Sequence, residues 1–247
     1  MIRHMALTLT LTCCGLPATA APVAAPADLW DGRRDGPTLE EMVADFTRCV
    51  VRKHHAEAKA YILSDPPRND LMNDPALYDR DCFHSFDSSG GVTFIVDMYR
   101  SALATALVQA DFATDGPADF TDRAGLAHPP APIWPDAAKE LGAGASEKAR
   151  AQRRYRVTRE AERADLARIG ECMVRAQPAA ARLWILTRPG SAEDTSGARP
   201  ILSAFESCSK PAAIVHYFNA ELVRGAVSIG YYRLAYAPQL GTGAVAK

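Results

Sequence analysis

Residues 49–64 (CVVRKHHAEAKAYILS) and 172–187 (CMVRAQPAAARLWILT) are one segment written twice, 123 positions apart. Seven of the sixteen aligned pairs are identical: Cys49/Cys172, Val51/Val174, Arg52/Arg175, Ala56/Ala179, Ala58/Ala181, Ile62/Ile185 and Leu63/Leu186. Each copy then runs through a Pro/Asp/Ser loop to a second cysteine, 33 residues after the first in one copy and 36 in the other. A repeat of this kind constrains the fold strongly, because one short unit cannot bury its own apolar face and must stack on its neighbour. A weaker match lays residues 94–109 (FIVDMYRSALATALVQ) over 213–228 (AIVHYFNAELVRGAVS), which sets Asp97 and His216 at equivalent positions.

The periodicity within each copy is helical. Thr38-Leu39-Glu40-Glu41 has the form of a capping box, and Leu39, Met42, Val43, Phe46, Cys49 and Val50 follow at spacings of three and four, which makes one apolar stripe. Leu166, Ile169, Met173 and Val174 repeat that stripe, with Cys172 beside Ile169 on its edge. Pro178 stands where the first copy has His55, so the helix is expected to restart there, giving second short helices over 56–63 and 179–186. Asp74-Pro75 predicts a short helix ending near Cys82, and Pro200 predicts the same before Cys208. Residues 94–110 and 213–236 are long apolar helices in this reading. The expected organisation is a first repeat over 37–113, a Pro/Gly-rich linker over 114–145, a second repeat over 146–237 opened by a charged helix, and a disordered tail over 238–247.

The start of the chain speaks for a compartment. Arg3, an apolar run over 5–16 and Ala18-Thr19-Ala20 have the form of a secretory signal peptide over 1–20. The run is too short for a membrane span, and Cys14 offers lipidation as an alternative ending. Residues 21–36 read as a flexible leader. With 28 Lys+Arg against 29 Asp+Glu, the chain lacks the electrostatic footprint of a nucleic-acid binder, and 48% hydrophobic content excludes a wholly disordered polypeptide.

After signal removal four cysteines remain, and sequence alone allows three pairings of them. The duplication selects Cys49 with Cys82 and Cys172 with Cys208, because each copy is then one stapled unit. Cys49, His54 or His55, Cys82 and His84 also form a donor set that zinc would accept, but the second copy keeps the cysteines and replaces the histidines with Gln177, Pro178 and Lys210. No P-loop, dinucleotide fingerprint, G-x-S-x-G or H-E-x-x-H is present. Arg52 and Arg175 stand three residues after each first cysteine, suited to helix-end carbonyls, a loop carboxylate or a ligand. Asp97 and His216 are the acid–imidazole pair that a hydrolase-type site would use, with His54 and His84 as the other option.

The Cys-x-Val-Arg segments (49–52 and 172–175), the Ile-Leu-Ser/Thr stretch after each and the second cysteine of each copy resemble a family of uncharacterised exported bacterial proteins. That resemblance implies export and duplication and assigns no catalytic residue. The chain departs from it in the long insertion between the copies. The combined expectation is a mainly α fold, with two pseudo-symmetric disulfide-stapled helical repeats packed into one unit. It would be a periplasmic or envelope protein without cofactor or nucleic-acid partner. It is read as a non-catalytic module that binds an envelope protein, or a small apolar ligand in a groove lined by Tyr99, Phe218, Tyr231 and Tyr232. The alternatives are a metal protein using Cys49, His54, Cys82 and His84, or an enzyme with a His/Asp site.

Overall fold

The Thr38 capping box forms as the sequence predicts: the Thr38 hydroxyl accepts the Glu41 amide at 3.2 Å and Glu41 Oε2 accepts the Thr38 amide at 2.9 Å. In the computed structural model, which describes residues 38–64, 73–85, 96–128, 130, 132, 144–209 and 220–239, this cap opens α1, Leu39–Lys53. The apolar stripe buries Val43, Phe46, Cys49 and Val50. A single residue, His54, closes α1 by donating its amide to the Val50 carbonyl, and α2 begins at once, His55–Ser64. After the break come α3, Val96–Asp111, and α4, Glu147–Ala176, capped by Ser146. Gln177 interrupts the chain as His54 does, and Pro178 opens α5, Pro178–Leu186. Proline suits that first turn because its missing N–H has no intrahelical acceptor there. The remaining helices are α6, Ala192–Leu202, α7, Phe205–Ser209, and α8, Ala220–Ala235. Among the described residues the fold is all-α, with one isolated bridge between Arg123 and Gln239.

Two short segments differ from their sequence reading. Asp74 does not start an α-helix: its side chain accepts the Ala76 amide at 2.9 Å, and its carbonyl accepts from Leu77 and Tyr78. The carboxylate captures the amide two residues on and closes a turn instead, so Cys82 is carried by a 3-10 segment, Arg80–Ser85. Pro200 does not open a helix either. Ser191 caps α6 nine residues earlier, accepting the Asp194 amide at 3.1 Å, and Pro200 falls in that helix's last turn.

Two disulfides tie these elements, Cys49 to Cys82 and Cys172 to Cys208, with Cα separations of 5.6 and 5.7 Å. Both match the pairing expected from sequence. The centre of the fold is the crossing of α3 and α8. Thr105 Oγ1 meets Ser228 Oγ across it at 2.9 Å, and a Cβ on Gly225 would overlap the Ser101 side chain. The second helix of each half also reaches across: α2 packs on α8 as well as α3, and α5 packs on α3 as well as α8.

The space between the halves is filled. Tyr99, Tyr231 and Tyr232 are each 0% exposed, so they line no open groove, contrary to the sequence expectation. Phe218 lies outside the described residues. Whole tyrosines can be buried here because each hydroxyl finds an acceptor: Tyr99 bonds the Leu77 carbonyl, Tyr231 the Pro117 carbonyl at 3.1 Å and Tyr232 the Asp111 carboxylate at 2.7 Å.

The linker expectation over 114–145 also changes. Arg182 gathers the carbonyls of Phe112, Ala113 and Thr114 at 2.6 to 2.9 Å. Phe120 is fully buried, its ring 5.3 Å from that of Tyr231, and Ala124 donates to the Pro238 carbonyl. Residues 112–128 are therefore a strap bound to the second half. Residues 133–143 of that segment lie outside the described residues, as do residues 1–20, read as a signal peptide, residues 21–36, read as a leader, and the residues beyond Gln239.

Candidate functional site

The most site-like constellation gathers where α2, α3 and α8 meet. His55 is the first residue of α2 and Asp111 the last of α3. An acid at a helix C-terminus opposes the helix dipole by about 0.3 to 1 kcal/mol, so this carboxylate needs local donors. It has three: His55 Nε2 at 2.6 Å on Oδ1, Tyr232 Oη at 2.7 Å and Tyr236 Oη at 3.0 Å on Oδ2. Tyr232 is in the last turn of α8 and Tyr236 follows that helix's final residue by one, four positions on, and both reach the same carboxylate oxygen. Lys59, one turn beyond His55 on α2, places its ammonium 3.5 Å from the centre of the Tyr236 ring.

The electrostatics fix the protons. Burial pushes the Asp111 carboxyl up, but hydrogen bonds from Tyr232, His55 and Tyr236 outweigh it and hold its pKa below the ordinary value. Burial, and then the bond to Asp111, push the Tyr232 phenol up. The carboxylate is thus ionised and the phenol is a donor. His55 Nε2 must then carry hydrogen, which leaves Nδ1 as the basic nitrogen. The imidazole is 42% exposed and the carboxylate 16%. Such an arrangement can take up and return a proton at Nδ1.

Other polar clusters serve the fold. His54 Nε2 lies 2.9 Å from Asp79, which Lys53 also approaches at 2.6 Å. Glu171 accepts from Leu126 N, His128 Nε2 and Arg175 Nε at 3.1, 2.6 and 2.8 Å. Burial raises the Glu171 carboxyl, yet these donors prevail and take its pKa down to about 2. Arg224 is buried in α8 and donates to the Ile185 and Thr187 carbonyls, the Thr187 hydroxyl and Asp194. Asp194 in turn accepts the Trp184 indole at 2.7 Å.

The residues singled out from sequence fare unequally. Arg175 holds strap carbonyls of Phe120 and Ala124, each at 2.8 Å, besides Glu171, whereas Arg52 is exposed. Asp97 pairs with Arg163 at 2.9 Å, and His216 lies outside the described residues. The Cys49/His54/Cys82/His84 metal set is corrected. Its two sulfurs are bonded to each other, His54 is on Asp79, and the side chain of His84 lies outside the described ones. Among the described residues no group of three or more His, Cys, Asp or Glu is placed to hold a metal ion, and no helix is long and apolar enough to cross a membrane.

Sequence reasoning passed over Asp111 and weighed His55 only as a possible metal ligand. The signals were present: an acid closing an apolar helix, and Tyr232 and Tyr236 at helical spacing. What joined them was 56 and 121 residues of intervening chain. No protein-family model, curated protein or solved structure matches this chain.

Proposed function

We propose that this chain is an exported, disulfide-stapled helical module, built by using one unit twice, that docks on an anionic envelope surface through the first turns of α4. Aligning α3 with α8 by their ends pairs Arg100 with Arg224 and Ala102 with Ala226, and it pairs Ser101 with Gly225, the two residues that meet at the crossing. The exchange of α2 and α5 between the halves is what a pseudo-twofold axis through that crossing would give. Two disulfides suit an oxidising compartment, in keeping with the signal-like residues 1–20.

The docking reading rests chiefly on charge. Residues 147–156 hold five cations, Lys148, Arg150, Arg153, Arg154 and Arg156, against the single acid Glu147, and Arg159 beyond them pairs with Glu162 at 2.8 Å. Only from Val157 and Ala161 onward does α4 bury residues against the body. Tyr155 is 64% exposed among the arginines, beside a shallow depression lined by Ala151, Gln152 and Arg156. Basic residues interleaved with an exposed aromatic match the chemistry of phospholipid headgroups, where each Lys or Arg contributes about 1 kcal/mol.

The test is co-sedimentation of the purified chain with vesicles of phosphatidylglycerol or phosphatidylcholine. Binding to the anionic vesicles alone is expected, weakening with salt and falling more than tenfold in Lys148→Glu/Arg156→Glu. Equal binding to neutral vesicles, or an unchanged double variant, overturns the docking reading. Export is read separately by cell fractionation: a full-length chain retained in the cytoplasm with four free thiols overturns it.

A further inference from the structure

We infer that His55 is the general base of a hydrolytic site that takes neutral carboxylic esters, with Asp111, Tyr232 and Tyr236 as its positioning residues and Lys59 as the cation for the developing oxyanion. This goes beyond the docking reading and does not depend on it.

The first support is the fixed tautomer. A histidine that donates Nε2–H to an ionised carboxylate presents a bare Nδ1 lone pair, and the carboxylate stabilises the imidazolium that forms when Nδ1 takes a proton. His54 has a weaker claim, because its carboxylate, Asp79, is already matched by Lys53 at 2.6 Å. For His55 the ring meets Asp111 from α3; Tyr232 of α8 and Tyr236 just past its end hold the other carboxylate oxygen, and Lys59, on the same helix as His55, lies over the Tyr236 ring.

The second support is that the architecture stands without this cluster elsewhere. The position 123 residues after His55 is Pro178, and α8 ends in Ala235 where α3 ends in Asp111. In the second half α5 is tied to α8 by Arg224 on the Ile185 and Thr187 carbonyls, so an acid–imidazole pair is not what that tie requires, and the pair exists in the first half alone among the described residues.

The third is the composition of the site. His55 and Lys59 lie at i and i+4, neighbours on one face of α2, so a base and a cation flank the same exposed strip. One ammonium against one carboxylate leaves the site near neutral, which suits an uncharged ester over a phosphate dianion. In the step, water gives a proton to Nδ1 as its oxygen bonds to the acyl carbon, and negative charge builds on the carbonyl oxygen beside Lys59. The tetrahedral adduct then collapses, the acyl–oxygen bond breaks, and the imidazolium returns the proton to the departing alkoxide. The products are a carboxylic acid and an alcohol, and no further reactant is required.

The experiment is hydrolysis of p-nitrophenyl acetate by the purified full chain across a pH series, in water and deuterium oxide. The rate is expected to follow one ionisation on the acid side and to show a solvent isotope effect well above unity. It should fall at least tenfold in His55→Gln and in Asp111→Asn, as expected for a lost general base, while His54→Gln keeps the wild-type rate. Thermal unfolding of each variant separates loss of chemistry from loss of fold, and Tyr236→Phe, which leaves Asp111 two donors, serves if Asp111→Asn does not fold. Hydrolysis as fast in His55→Gln as in wild type overturns the proposal. So does an acyl-imidazole accumulating without an isotope effect, which marks a merely nucleophilic surface histidine. Preference for p-nitrophenyl phosphate would overturn the ester class.

Discussion

The arginine of the Cys-x-Val-Arg segment is exposed in the first half and buried in bonds in the second. Arg52 lies in solvent at the end of α1. Arg175, at the same place after its cysteine, binds Glu171 and the carbonyls of Phe120, Arg123 and Ala124. The local sequence is the same and the surroundings are not. The chain between the halves runs back over α4, so only the second half has backbone carbonyls laid across its arginine. The two halves thus put their aligned segments to different uses. The second holds its strap with Arg175, Glu171 and Arg182, while the first, at the α2–α3 junction, carries the His55–Asp111 pair.

The largest difference between the halves should appear at the buried cation. Arg224→Met takes the guanidinium from the Ile185 and Thr187 carbonyls and from Asp194, which keeps the Trp184 indole and the Gly190 amide, and breaking a buried pair from one side costs about 3 to 5 kcal/mol. Chemical denaturation should show that loss, and a smaller one for Arg100→Met, whose side chain is only half-buried. Equal losses would break the asymmetry drawn here. The disulfides should be alike: closing loops of 33 and 36 residues gives about 3 to 4 kcal/mol each in the chain-entropy model. Cys49→Ala/Cys82→Ala and Cys172→Ala/Cys208→Ala are therefore expected to lower stability equally, and a gap above about 1 kcal/mol would mean that one staple holds structure the other does not.

Next comes the strap. Arg175→Ala strands three carbonyls and a carboxylate and should cost about 2 to 3 kcal/mol, whereas Arg52→Ala should stay within about 0.5 kcal/mol. Amide exchange of residues 120–126 would show whether the loss is local. The smallest effect is the pH dependence of the same latch. Glu171 has a folded pKa of about 2 against an ordinary 4.5, so its contribution is present above pH 4.5 and is lost as pH falls toward 2. Glu171→Gln should flatten stability across that window. An unaltered acid slope would assign acid sensitivity to other carboxylates.

Much of the fold was legible in the chain. The capping box at Thr38, the restart at Pro178 and both cysteine pairings follow from local chemistry and from a repeat that is visible without a structure. The elements missed were those in which side chains compete with backbone: Asp74 closes a turn where a helix was expected, and Ser191 starts α6 well ahead of Pro200. The site was less legible than the fold. Its acid, base and phenols come from α2, α3 and the end of α8, segments that lie far apart in the chain.

Sequence by itself determined the helices, their breaks and the staples, because capping, proline geometry and apolar period act over a few residues and the repeat states them twice. Tertiary structure alone decided that the tyrosine seam is filled, that residues 112–128 bind the second half, and that His55 meets Asp111. Each of these depends on where distant segments cross. Close approach of α3 and α8 through Ser101 and Gly225 fixes that crossing, and no local preference encodes it.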